Sequence, residues 1–170
     1  ANAADVASAA TEIGLPVIVK PAVGSGGSKG VRLCQSADEL AEHTTHLLNG
    51  EHKWPSSPRI LVEQFARGPY YIADTMGTEV FQIATAEFGP APHFVISEAI
   101  YPAVLTHDEH KLIADISQNC LRALDLSWGP TCIEFRWTKL GPVVIEVNPR
   151  LAGGVGPQLM QLAYGVDLIT

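Results

Sequence analysis

Residues 131–148, "TCIEFRWTKLGPVVIEVN", constrain the fold of this chain most. β-Branched and aromatic residues alternate with polar ones on both sides of a short stretch bearing Gly-Pro, the pattern of a β-hairpin. With Thr138–Pro142 as a five-residue loop, antiparallel pairing sets Trp137 opposite Val143, Phe135 opposite Ile145 and Ile133 opposite Val147. These six side chains make one dry face. The other face sets Cys132 opposite Asn148 and Glu134 opposite Glu146, with Cβ atoms about 5 Å apart. Like charges in that position destabilise a sheet, so the pair calls for something that offsets its repulsion.

The rest of the chain alternates helix and strand signals. Residues 2–14 predict a short helix with Asn2 as N-cap and Gly14 just past its end. A strand "PVIVK", the loop "PAVGSGGSKG" and a strand "VRLCQ" follow. In "SADELAEHTTHLLNG", Ser36 and Glu39 fit a capping box, Leu40, Thr44, Leu47 and Leu48 share a side, and Asn49-Gly50 ends the helix. "HKWPSSP" reads as a loop and "RILVEQF" as the next strand. From Gly68 onward, "YYIADTM", "EVFQIATAEF" and "HFVISEAIY" predict an antiparallel meander. A helix then starts at Thr106, with Glu109 completing a capping box and Leu112, Ile113, Ile116, Cys120 and Leu124 along one face. After the hairpin, "GPQLMQLAYG" is a last amphipathic stretch. The order predicts an α+β architecture in two lobes, residues 1–67 and 68–170, joined near Glu63 to Gly68.

Composition limits what such a chain can do. At 170 residues and 46% hydrophobic it can bury a real core. A net charge of −7 with no Lys/Arg stripe argues against nucleic acid or an anionic membrane as partner. No apolar run approaches the roughly 18 residues of a membrane span, and the expected compartment is cytoplasmic. Cys34, Cys120 and Cys132 are widely spaced without a CxxC pair, and are expected to be buried thiols. The chain opens on Ala1 and has no methionine before Met76, from which a missing upstream segment is expected.

Two features carry chemistry. Glu146 and Asn148 lie on one side of their strand about 6.6 Å apart, so with Glu134 they form an oxygen-rich set suited to a hard divalent cation. The other reading is a solvated face neutralised by Arg136. The glycines of "GSGGSKG" let backbone N–H groups approach an anion, and Lys20, on the opposite strand face from Val17 and Val19, would add a point charge for phosphate. A flexible hairpin tip beside a solvated lysine is the alternative. The loop is not a Walker A motif, because Ser28 precedes Lys29 and no helix with Ser or Thr follows. No GxSxG elbow is present. The six histidines, all in helical or loop contexts, are expected at the surface.

Taken in order, "PVIVKP", the glycine-rich loop, "LVEQF", "CIEFRW" and "VVIEVNPRLAGG" resemble the ATP-grasp superfamily across the whole chain. The tail "EVNPRLAGG" is most similar to carboxylate-amine ligases of the L-amino-acid (dipeptide) ligase type. The resemblance implies a two-lobed ATP-grasp fold, with a small lid lobe and a larger antiparallel-sheet lobe flanked by helices. It implies that Lys20 contacts nucleotide phosphates and that Gly24, Ser25, Gly26, Gly27, Ser28 and Gly30 close over ATP. Glu63, Gln64, Phe65 and Ala66 would line the hinge and meet adenine. Glu134, Glu146 and Asn148 would hold Mg²⁺, with Mn²⁺ as a substitute, and Arg150 would face the transferred phosphoryl group or a substrate carboxylate. Read alone, Glu63 is equally an exposed strand residue and Arg150 a partner for an acid such as Glu134.

The implied reaction is ATP-dependent ligation of a carboxylate to an amine, amino acids among the candidates, through an acylphosphate. Two departures from the family pattern stand out. Tyr70 occupies the place of an acid that holds the ribose hydroxyls, and the family's upstream lysine and N-terminal domain are not in this chain. The alternative function is therefore a non-catalytic nucleotide-binding module, or an inactive fragment, that supports or regulates a partner. Oligomeric state is open, a homodimer included.

Overall fold

A computed structural model describes residues 2–23, 27–50 and 59–168. The chain divides into two compact units, Ala1–Phe65 with Phe88–Val95, and Ala66–Glu87 with Ile96–Thr170.

The first unit holds α1 (Ala3–Ile13), β1 (Val17–Pro21), β2 (Arg32–Cys34), α2 (Ala37–Asn49) and β3 (Ile60–Gln64). Its antiparallel sheet has the order β2-β1-β3. The central strand alternates: Val17 and Val19 are fully buried against the helices, while Ile18 and Lys20 face the other way. Val6, Ala10, Leu40 and Leu47 close this core from α1 and α2. Asn2 caps α1 in a full capping box with Asp5, and Gly14 leaves the helix at φ +86°.

The expected box on α2 is displaced. Ser36 Oγ accepts from Glu39 N at 3.2 Å, but the Glu39 carboxylate accepts from Gln35 N at 2.6 Å instead of Ser36 N. The buried side of α2 is Leu40, His43, Thr44 and Leu47, with Leu48 only half-buried. His43 thus departs from the surface position expected of it. Its Nε2 lies 2.8 Å from the Gly30 carbonyl, so a neutral ring with the proton on Nε2 donates to that oxygen.

The second unit contains β4 (Tyr70–Met76), β5 (Glu79–Phe88), β6 (Ile96–Ile100), α3 (His107–Ala123), β7 (Pro130–Thr138), β8 (Gly141–Asn148) and α4 (Gly156–Tyr164). The sheet order is β6-β5-β4-β7-β8. One face, with Ala73, Ile83, Ile133 and Phe135, packs on Ile113 and Leu121 of α3. The other face carries polar side chains in rows across the strands.

Three expectations change here. β6 is shorter than "HFVISEAIY", because Phe94 packs against the Phe65 and Phe88 rings in the first unit. Along α3 the buried line is Ile113, Ser117 and Leu121; Leu112 and Leu124 are 41% and 56% exposed. Ser117 fits that line because its hydroxyl donates to the Ile113 carbonyl at 2.8 Å. In the hairpin, Thr138 pairs with Gly141, so the turn is Lys139-Leu140 rather than five residues. The Thr138 hydroxyl accepts from Leu140 N at 3.1 Å and donates to Gly141 O at 2.9 Å, which stabilises that tight turn. Trp137 consequently meets Pro142 and Phe135 meets Val144. The register then shifts between Glu134 and Phe135, with Ile145 as the extra residue of a bulge. Beyond the bulge Glu134 faces Glu146, Ile133 faces Val147 and Cys132 faces Asn148, as expected. Cys34 and Cys132 are buried free thiols and Cys120 is half-buried. Among the described residues no helix is long and apolar enough to cross a membrane.

Candidate functional site

Glu134 and Glu146 are brought together because β7 and β8 pair them directly. Glu134 is half-buried and Glu146 exposed, and their carboxyl groups approach within hydrogen-bonding reach. Burial, then the charge of Glu146, push the Glu134 carboxyl up to about 7, while the Tyr70 hydroxyl and the Arg150 charge act the other way. Asn148, two residues along β8, donates from Nδ2 to Glu146 Oε1 at 2.8 Å. That bond leaves the Asn148 amide oxygen as an acceptor. Two carboxylates and an amide oxygen fit a hard dication that keeps water and phosphate oxygens as further ligands, as Mg²⁺ does. Among the described residues no group of three or more His, Cys, Asp or Glu gathers, so a closed site of the zinc type is not offered.

Tyr70 is the unexpected member of this cluster. It is 7% exposed and its hydroxyl donates to Glu134 Oε2. The guanidinium of Arg136 stacks over its ring at 4.9 Å and donates to the Gly68 carbonyl at 2.8 Å. Burial and the adjacent Glu134 charge raise the Tyr70 hydroxyl far above the ordinary tyrosine range, so it stays a neutral donor.

One row further along the same face, β5, β4, β7 and β8 align Gln82, Asp74, Cys132 and Asn148. Asp74 is 2% exposed and accepts from Gln82 Nε2. Burial raises its carboxyl, with the Gln82 and Cys132 side chains and the Arg150 charge acting in the opposite sense. Burial pushes the Tyr101 hydroxyl up to about 12, and the nearby Asp74 charge adds to this. Nothing in the sequence singled out Asp74 or Gln82, although alternation from Tyr70 puts Asp74 on the Tyr70 face. Arg150 is exposed at the end of β8, where its backbone N donates to Asn148 O at 2.7 Å and its Nη1 to Leu151 O at 2.8 Å.

In the first unit Lys20 and Glu63 meet. Lys20 Nζ is 2.8 Å from Glu63 Oε2, with side chains 13% and 40% exposed. The pair lies diagonally across β1 and β3, where Ile18 opposes Glu63 and Lys20 opposes Leu61. Gln64 is exposed, and Phe65 and Ala66 are half-buried. Of the glycine-rich loop, Gly24, Ser25 and Gly26 lie outside the described residues. Gly27, Ser28 and Gly30 are left-handed at φ +66°, +54° and +76°, in a turn closed by Val31 N to Ser28 O at 3.1 Å. Gly30 allows a close approach: a Cβ there would lie 3.1 Å from Pro21 Cδ and 3.2 Å from Leu47 Cδ2.

Residues 13–158 match the ATP-grasp domain family. The chain is 62% identical over 168 residues to the uncharacterised protein y4rH of Sinorhizobium fredii, a match covering 99% of this chain and 35% of that protein. It is 28% identical over 180 residues to carnosine synthase 1 of Mus musculus, covering 99% of this chain and 22% of that enzyme. The crystal structure of an L-amino acid ligase from Bacillus licheniformis superimposes with a TM-score of 0.74 at 26% identity, over 91% of this chain and 36% of that one. The chain therefore spans about a third or less of the length of these relatives. With one family match running through Lys20, Glu63, Glu134, Glu146, Asn148 and Arg150 alike, the chain belongs to the ATP-grasp domain family.

Proposed function

We propose that this chain is the nucleotide-binding part of an ATP-dependent ligase that joins a carboxylate to an amine. The observation that carries the reading is the Glu134–Glu146 pair, set face to face beside Asn148 on a hairpin. In this proposal Glu134, Glu146 and the Asn148 amide oxygen hold Mg²⁺, which when bound supplies positive charge to phosphate oxygens. Lys20, aimed by its ion pair with Glu63, contacts the nucleotide phosphates. Backbone N–H groups of the loop 24–30 cover them, and residues 63–66 meet the base. Arg150, exposed beside Asn148, faces the transferred phosphoryl group or a substrate carboxylate.

The reaction needs no protein nucleophile. A substrate carboxylate oxygen takes the γ-phosphoryl group, the bond from that phosphorus to the β-phosphate bridging oxygen breaks, and ADP leaves. The amine nitrogen then bonds to the acyl carbon, phosphate departs with the former carboxylate oxygen, and the nitrogen releases a proton. What the chain contributes is in-line placement and fixed positive charge at the phosphoryl oxygens. The amino-acid chemistry named for the relatives makes amino acids the first substrates to try.

The test is thermal unfolding of the chain with ADP, with and without Mg²⁺, in the parent and in Glu146→Gln. The parent is expected to gain stability only when both are present, because a ligand that binds the native state raises the melting temperature. The variant is expected to lose that gain. A parent indifferent to nucleotide, or a variant that responds as the parent does, overturns the assignment. Phosphate release by the full-length protein over a panel of amino-acid pairs then tests the ligation.

A further inference from the structure

Each of the two facing glutamates has its own uncharged donor. Glu146 Oε1 accepts from Asn148 Nδ2, and Glu134 Oε2 accepts from the Tyr70 hydroxyl. Asn148 is two residues from Glu146 on the same strand, but Tyr70 reaches Glu134 from a different strand, one row away, since Ile72 and not Tyr70 opposes Glu134. That reach is fixed on several sides. Arg136 stacks on the Tyr70 ring at 4.9 Å, Thr85 Oγ1 donates to the Tyr70 carbonyl at 2.9 Å, and Trp137 N donates to the preceding Pro69 carbonyl at 2.9 Å. On β5 the buried small residues Ala86 and Ala84 stand opposite Tyr70 and Ile72 on the same sheet face.

A neutral donor differs from a cation in this position. A lysine or arginine bonded to Glu134 would orient the carboxylate but also cancel the charge a metal ion requires. A phenol orients it and leaves the charge in place. The buried Tyr70 hydroxyl is placed to donate to Glu134 Oε2.

We infer that Tyr70 is a positioning residue for the cation site, its hydroxyl holding one oxygen of Glu134 so that the other is presented toward Glu146 before an ion arrives. This rests on the metal assignment proposed above for Glu134, Glu146 and Asn148. Outer-shell donors of this kind typically contribute about 10-fold or more in metal affinity.

The experiment is a Mg²⁺ titration of the ADP-dependent rise in melting temperature, in the parent, in Tyr70→Phe and in Tyr71→Phe as control. Tyr70→Phe keeps the ring and its stacking and removes only the donor; Tyr70→Leu serves as a second variant without the hydroxyl should the first fail to fold. The Mg²⁺ midpoint is expected to rise about 10-fold in Tyr70→Phe and to stay at the parent value in Tyr71→Phe. A merely structural hydroxyl, one that only relieves the buried charge of Glu134, predicts the opposite sign. Its removal would raise the energy of the metal-free site and tighten Mg²⁺ binding. An unchanged or lowered midpoint in Tyr70→Phe, with the parent responding normally, overturns this inference alone. A parent that does not respond to Mg²⁺ and ADP overturns the metal assignment and this inference together.

Discussion

Gly68 stands at φ +147°, a conformation in which L side chains are strained, and a Cβ built there would lie 1.8 Å from the Trp137 carbonyl oxygen. That oxygen cannot retreat freely, since Trp137 N is bonded to Pro69 O at 2.9 Å. Gly68→Ala is therefore expected to cost more than about 3 kcal/mol, read as a lower midpoint in urea unfolding. A midpoint within error of the parent would show that the close approach is relieved at no cost. His43 gives a pH dependence. Burial, its largest influence, lowers the ring below the ordinary histidine range. The unfolded chain then binds this proton more readily than the folded one, so the contribution of His43 is fully present above pH about 6.5 and is lost as pH falls. His43→Gln is expected to flatten the loss of melting temperature between pH 7 and pH 5; equal slopes in parent and variant would contradict this. Glu134 acts with the opposite sign, since its carboxyl is raised to about 7, and it stays the same in both proteins. His43 was illegible as a core residue in the sequence because its partner, the Gly30 carbonyl, is a backbone group thirteen residues away.

Helices and strands were legible in proportion to how local their causes are. The α1 and α3 caps rest on contacts three residues apart: Asn2 caps α1 and the Thr106–Glu109 box forms on α3 where the residue types predict them, whereas the box expected on α2 is displaced to Gln35 N. β4 and β5 start and stop at the expected residues, because Gly77 makes the turn between them at φ +58°. The buried side of α3 was legible only to within one helical step. Ile113 is fully buried and Leu112 is 41% exposed, although both are apolar neighbours. Ile113→Ala is expected to cost about 2–5 kcal/mol and Leu112→Ala under about 1 kcal/mol, compared by chemical unfolding. Equal costs would mean that the helix presents a different side. The hairpin illustrates two errors of length that cancel. The loop is three residues shorter than expected, the extra pairs near it form in a shifted register, and the bulge at Ile145 restores the expected partners from Glu134 onward. Hydrophobic alternation fixes which face Glu134 takes, whereas a bulge depends on how the strand must bend.

Across the whole chain, two separately packed units carry the residues that the ATP-grasp resemblance selects. Saturating Mg²⁺ and ADP at about 100 times their dissociation constant should stabilise the parent by about 2.7 kcal/mol, and the absence of any such increment would remove the basis for the ligase reading. Residue order and strand alternation by themselves determined the α+β class and the apposition of Glu134 with Glu146, because each is a short-range or period-two property. Only the tertiary structure decided that Tyr70, 64 residues from Glu134, is bonded to it, and that Asp74 and Gln82 form a buried polar row beside the pair. Those contacts join separate strands whose order in the sheet, β5-β4-β7-β8, is set by packing against α3 and not by any pattern within one segment.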